Sequence, residues 1–235
     1  NNIANAGTTG YKKREASFVD VYADTVAMGV GNKVGSGVTT PEMRIMRSQG
    51  ELKQTGAVLD LAVEGEGMFT LRNGSNLRDV LYTRDGSFSI DLNGEIVTSD
   101  GHKVMSANGM SITVPMRAAG IVTENGVERL GSAALSSVVI QPDGTVEATY
   151  GGTNIIAVAK IGLATFADAN RLTAIGNNMF RENARSGPGN LGQAVKDGRG
   201  KIHSGALEMS NIDMTGELAK LIRAQQAFSG TSRLL

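Results

Sequence analysis

The sequence predicts a mainly β fold: a β-sandwich or barrel-like body joined to terminal α-helices that form a coiled-coil-like part. Three observations carry that reading. Between residues 36 and 189, short apolar or alternating runs are separated by Gly, Asn-Gly and Asp-Gly turns, the pattern of a short-stranded antiparallel body. Gly supplies 31 of the 235 residues, near twice its usual share of ~7%, while Pro supplies only 4. Toward the C-terminal end the apolar residues recur instead at steps of three and four, which is helical spacing. Apolar residues make up 40% of the chain, enough for a core. Aromatics are only 4%, with no Trp, so Val, Ile, Leu, Met and Ala must fill it.

Taken in order, residues 2–7 read as the last turn of a helix, with Gly7 just past it supplying left-handed geometry. Residues 16–28 fit either a short helix or an extended arm that packs Phe18, Val19, Val21 and Tyr22; Gly29, Gly31, Gly35 and Gly37 then break any regular element. Strands are expected at 57–63, 68–71, 81–83, 87–92, 95–98, 102–105, 137–141, 145–150, 155–159 and 161–166. Asn93-Gly94 is a strong hairpin signal because both residues tolerate positive φ. Asp100-Gly101 and Pro142-Asp143-Gly144 mark further turns. Residues 187–205 are polar and Gly-rich and read as a linker or extended segment. One long helix then closes the chain, with Ser210 as N-cap and Asp213 three residues later as an approximate capping box.

Along that helix Met214, Leu218, Leu221, Gln225, Phe228, Ser232 and Leu235 follow at alternating steps of four and three, the spacing that keeps one seam against a neighbouring helix. Five of these seven are apolar, and Ile222 widens the stripe. A helix of ~24 residues rises about 36 Å, longer than a small domain needs for a cap. Its natural partner is another chain-terminal helix, and residues 1–6 look like the end of one. The expected assembly interface is Asn2, Ile3, Asn5, Met214, Leu218, Leu221, Ile222, Gln225, Phe228 and Leu235. The competing reading is a helix that caps the β body.

Lys plus Arg and Asp plus Glu number 23 each, so the formal net charge is zero. No basic bias points to nucleic acid or an anionic membrane. Weak self-repulsion suits a protein that associates with its own copies. Absence of Cys excludes disulfide and thiolate chemistry. The most apolar stretch, residues 155–158, is far too short to span a bilayer, and no cleavable signal pattern opens the chain. His102 and His203 stand far apart in turn-rich contexts, without carboxylates at zinc-site spacing. Residues 29–35 lack the G-x-G-x-x-G spacing, and the turn at 91–94 lacks the distal Glu of a calcium loop because position 102 is His. The acid pairs Glu64 with Glu66 and Asp168 near Glu182 form no glycosidase constellation, and no G-x-S-x-G elbow is present. No catalytic residue, cofactor or metal site is expected.

Several segments in succession carry a family resemblance. Residues 1–12 (NNIANAGTTGYK), Gln49-Gly50, residues 54–56 (QTG), 59–63 (LDLAV) and 65–69 (GEGMF) come first. Residues 82–88 (YTRDGSF), 91–94, 96–101, 163–166 (LATF), 177–180 (NNMF), 204–213 (SGALEMSNID) and the helix through 224–228 (AQQAF) follow. Their colinear order resembles the bacterial flagellar axial proteins, the hook and rod subunits. Departures are small: Met68 stands where that family usually has Phe, and Gln226 where it has Arg.

The resemblance implies a structural subunit, not an enzyme, exported unfolded and assembled as a helical homopolymer that transmits torque. It implies residues 1–35 and 190–235 as a discontinuous inner tube wall of terminal helices, and 36–189 as an outer β wall. It implies as partners further copies of the chain, neighbouring rod, hook and hook–filament junction proteins, and the hook cap during assembly. The family's N-terminal helix would precede Asn1. Residues 16–22, 204–208 and 210–215 lean the resemblance toward hook proteins, while the short stretch at 105–135 and the compact length favour a distal rod protein. A reading of another class, a secreted β-rich binding module, predicts a stable monomer whose terminal helix is dispensable.

Overall fold

Met68–Arg72 is the strand around which the body is built. It carries Met68, Phe69 and Leu71 at full burial, so both of its faces are covered and both of its edges are paired. On one edge Val80–Thr83 joins it antiparallel; on the other, Lys103–Val104 pairs with its C-terminal half and Gly162–Thr165 with its N-terminal half. Ile96–Thr98 and Phe88–Ile90 extend the sheet past Lys103–Val104, and Met179–Arg181 and Thr173–Gly176 extend it past Val80–Thr83. A second, four-stranded antiparallel sheet runs in the order Arg117–Glu124, Val127–Ile140, Thr145–Tyr150, Asn154–Lys160. The computed structural model describes residues 1–16, 19–23, 34–39, 43–74, 79–124 and 127–232.

The two sheets share one core. Phe69, Leu71 and Ile96 from the first cluster with Ile140, Val146 and Tyr150 from the second and with Leu61 of the separate strand Leu61–Glu64, and Phe69 meets Phe88 edge-on at 5.1 Å. A smaller cluster of Ile45, Met68, Tyr82, Leu172 and Phe180 lies to one side. Two edge-to-face pairs, Phe69 with Phe88 and Tyr82 with Phe166, brace an interior that is mainly aliphatic. The chain is mainly β with one C-terminal helix, and most expected strands form within a residue or two of their expected bounds. Residues 57–60 are the main shortfall: the strand begins only at Leu61, with Asp60 in an isolated bridge to Ser87.

Several expectations change. The Asn93-Gly94 hairpin forms, but only Gly94 has positive φ (+79°). The Asp91 carboxylate accepts from the backbone N–H of Asn93 and of Glu95, which holds Asn93 in ordinary geometry and leaves the left-handed residue to Gly94. Near the N-terminus the short turn is a 3-10 helix, Ile3–Asn5, and left-handed geometry falls on Gly10 (φ +65°), not Gly7. Of the 16–28 stretch, Val19–Ala23 forms a strand paired with Val34–Thr39; Phe18 and residues 24–28 lie outside the described residues.

Residues 187–205 are not a linker. Asn190–Gln193 pairs with Gly162–Thr165, Lys201–Ser204 pairs with Leu61–Glu64, and Ala194 and Ile202 are buried in the main core. Next along the chain, Ala206–Glu208 pairs with Leu52–Gln54. The glycines that suggested a linker serve turns and close approaches instead. Residues 190–208 therefore fold with the strands of 36–189.

Candidate assembly interface

The C-terminal helix, α1 (Met214–Ser232), starts where its backbone is first free to turn. Residues just before it are pinned in extended form: Met209 N–H donates to Glu51 O at 2.8 Å, and the Asn211 amide donates to Met46 O and Ser48 O at 2.8 and 2.9 Å. Asp213 then caps the helix, its carboxylate accepting from Thr215 N–H at 3.0 Å. The cap is Asp213 and not Ser210, because position 210 lies inside the pinned stretch. Gly216 leaves room for this carboxylate, which a Cβ would approach to 2.6 Å.

None of the helix residues is buried. Met214, Leu218, Leu221, Ile222 and Phe228 are exposed to 45%, 46%, 45%, 52% and 76%, and Gln225 stands exposed among them. These are the expected seam positions, on one face of a helix about 28 Å long. The remaining expected position, Leu235, lies outside the described residues.

Among the described residues, α1 meets the rest of the chain through its first two turns, mainly by polar groups, with Lys220 reaching Glu15 at 3.6 Å. The Asn2 side-chain amide donates to Arg14 O at 2.9 Å and to the Glu217 carboxylate at 3.0 Å, while its Oδ1 accepts from Arg14 N–H. Lys13 bridges Glu15 at 3.0 Å and Glu217 at 3.2 Å, and Lys220 reaches Glu217 at 3.2 Å. The Asn2 hydrogen bond, helped by Lys13 and Lys220, holds the Glu217 carboxyl down at about 2. Its bonds to Glu15 and Glu217 raise the Lys13 ammonium above the ordinary lysine range. Ile3 and Leu221 line one groove of about 380 Å³ beside this network, with Asn2 and Lys220 at its rim. Asn5 turns away and donates to Asn1 O at 2.8 Å. The structure thus brings Asn2, Ile3 and Leu221 together and leaves Met214, Leu218, Ile222, Gln225 and Phe228 on an uncovered face.

Behind the groove, a buried charge cluster ties the two ends of the chain to the body. Lys12, Glu208 and Arg84 are 4%, 1% and 8% exposed. Lys12 and Glu208 form a close ion pair; Arg84 adds a contact to Glu208 at 3.4 Å and donates to Val63 O and Gly65 O. Glu208 also accepts from Gly50 N–H at 3.0 Å. Burial lowers the Lys12 ammonium, against which the Glu208 carboxylate pulls upward. Asn211 adds a neutral clamp, accepting from Lys13 N–H at 2.8 Å. Sequence reasoning missed Lys12, Glu208, Arg84, Asn211 and Glu217. Each sits in a segment quoted for the resemblance; Glu208, between Leu207 and Met209, and Glu217, between Gly216 and Leu218, stand alone among apolar or Gly neighbours, whereas Lys12 and Arg84 stand beside other charges.

Two family descriptions match the chain: the flagellar hook protein FlgE/F/G D1 domain over residues 62–148, and the flagellar basal body rod FlgEFG protein C-terminal region over 203–235. The flagellar basal-body rod protein FlgG of Bacillus subtilis is 34% identical, the match covering 100% of this chain and 86% of that protein. This chain belongs to the flagellar hook and rod protein family. The FlgG of Borreliella burgdorferi is 32% identical over 100% of the chain and 85% of its own length. The rod protein FlgF of Caulobacter vibrioides is 30% identical over 100% and 83%. The second family match contains the whole of α1, and the first contains the central strand Met68–Arg72 and Arg84. Among the described residues, no helix is long and apolar enough to cross a membrane, and no group of three His, Asp or Glu is placed to hold a metal.

Proposed function

We propose that this chain is a non-enzymatic structural subunit of the bacterial flagellar basal-body rod, polymerising with its own copies into a tube that transmits torque. One observation carries the self-assembly: a 19-residue helix with no buried residue bears five large apolar side chains on one stripe. An isolated helix of that length is marginal in water, and a contiguous apolar stripe on it marks a contact surface. Covering what remains exposed of those side chains supplies on the order of 5 kcal/mol per subunit. In this reading α1 and the N-terminal segment form the inner wall. The β body of 36–189, together with the strands of 190–208, forms the outer wall, and the Lys12–Glu208–Arg84 cluster fixes the junction between them.

The hook reading has no specific support beyond the resemblance at 16–22 and 204–215. Relatives matched over the whole chain carry rod names, which favours the rod. Neighbouring axial proteins would meet the ends of the tube. The test is assembly of the purified protein, followed by sedimentation and electron microscopy, beside a Leu221→Asp variant. The variant both removes an apolar contact and inserts a charge, at a cost of ~3 kcal/mol, so the concentration needed for assembly rises about 100-fold. Unchanged assembly by Leu221→Asp removes the seam from the account; a stable monomer in both favours a binding module.

A further inference from the structure

A small cavity of about 20 Å³ lies between the N-terminal segment and the body, lined by Lys12, Arg47, Arg84, Glu66 and Phe166. Three of these side chains are cations. Arg84 directs three hydrogen bonds away from the cavity's spare groups, to Val63 O, Gly65 O and Glu208. Lys12 donates to Ser48 O at 3.0 Å and to Glu208, which leaves its third N–H without a protein acceptor among the described residues. Arg47 has more to spare. Its guanidinium sits 4.8 Å above the Phe180 ring and places Nη1 against Met68 Sδ at 3.4 Å. Its Nε and Nη2 are shielded from solvent and meet no protein acceptor among the described residues.

The charge count points the same way as the hydrogen bonds. Lys12, Arg47 and Arg84 face Glu208, which is already shared by Lys12 and Arg84, and the exposed Glu66 at the cavity's edge. Asp168, also near Arg47, is engaged by Arg171 at 3.3 Å. One positive charge is therefore in excess around a space that holds a single water-sized particle. Burial, with Arg84 nearby, pushes the Arg47 guanidinium down to about 10, so it is still charged at neutral pH. The spare buried side-chain groups are donors, one N–H of Lys12 and those on Nε and Nη2 of Arg47, while the Glu66 carboxylate at the cavity's edge is exposed. A water accepts only two such bonds and must also place its own two protons, whereas a halide accepts several and donates none.

We propose that this cavity is a binding site for one halide-sized monovalent anion, chloride in solution, held between the Arg47 guanidinium and the Lys12 ammonium. The ion completes the charge balance where segment 43–50 and the N-terminal segment dock on the body. Bound only in the folded state, it stabilises the fold by RT ln(1 + c/Kd), where c is the chloride concentration.

Bromide is the probe. Crystals grown in bromide are expected to show an anomalous peak within about 3.5 Å of Arg47 Nε and Nη2. In solution, replacing gluconate by chloride at fixed ionic strength should raise the urea midpoint, in step with the logarithm of chloride concentration once that exceeds Kd. Arg47→Met keeps the stem on Phe180 and should remove both effects. Glu66→Gln removes the negative charge beside the cavity and should tighten chloride about fivefold, a change of sign opposite to mere damage. The proposal is overturned by a water without anomalous signal, by Glu66 itself occupying the cavity, by a midpoint indifferent to chloride, or by a chloride effect that survives in Arg47→Met.

Discussion

Replacing Lys12 by Met keeps most of the side-chain stem but removes the ammonium from the buried cluster. Glu208 then remains 1% exposed, with its carboxylate served only by Arg84 at 3.4 Å and Gly50 N–H at 3.0 Å. Removing one partner of a buried ion pair costs about 3–5 kcal/mol, because the survivor is left desolvated and under-compensated. The remaining Arg84 contact places this case near the lower end, about 3 kcal/mol. That is a large part of the 5–15 kcal/mol that holds a typical domain together. Equilibrium urea unfolding measures it: with a slope of ~3 kcal/mol/M the midpoint falls by about 1 M, and the thermal midpoint falls by roughly 6–12 °C. A double variant, Lys12→Met with Glu208→Met, should recover part of the loss, since both buried charges of the close pair are gone. A loss under ~1 kcal/mol for Lys12→Met, or a double variant worse than the sum of the singles, refutes the claim that this cluster clamps the chain ends to the body.

Three further outcomes follow from the junction. Glu217 is depressed to about 2 from an ordinary value near 4.5, so it stabilises the base of α1 above pH ~4.5 and loses that contribution as pH falls toward 2; amide exchange in the first turn of α1 should accelerate over that window. Asn2→Ala removes the largest cause of the shift, and an NMR titration should show Glu217 moving back toward 4.5 while the β body is unchanged. Gly50→Ala would set a Cβ 1.9 Å from Met209 O, whose residue is tied to Glu51 O, so the strand contact must open; a loss of more than ~2 kcal/mol in urea unfolding is expected.

The β body was legible because its signals are local. Asp91 to Gly94, Asp100-Gly101 and residues 142–144 each specify a turn by the chemistry of a few neighbours, and the strands between them follow. The helix α1 and its apolar stripe were legible for the same reason, since their period lies within one element. What was hidden depends on tertiary partners. The Gly-rich 187–205 stretch resembles a linker until Ile202 and Ala194 are seen to fill the core beside Leu61 and Val63. Ser210 is a good N-cap by type, yet the bonds of Asn211 to Met46 O and Ser48 O delay the helix to Asp213. Nothing local in the sequence marks Glu208 for burial, and its partner Lys12 lies 196 positions away.

The central claim is that the uncovered stripe of α1 meets copies of this chain inside a rod. Electron cryomicroscopy of the assembled tube tests it most directly. The account predicts a straight hollow tube in which Leu218, Leu221 and Phe228 of α1 face helices of neighbouring subunits at the inner wall and the β body lies outside. A tube with α1 on its outer surface, or with the stripe facing solvent, contradicts the account; a curved tube would return the chain to the hook.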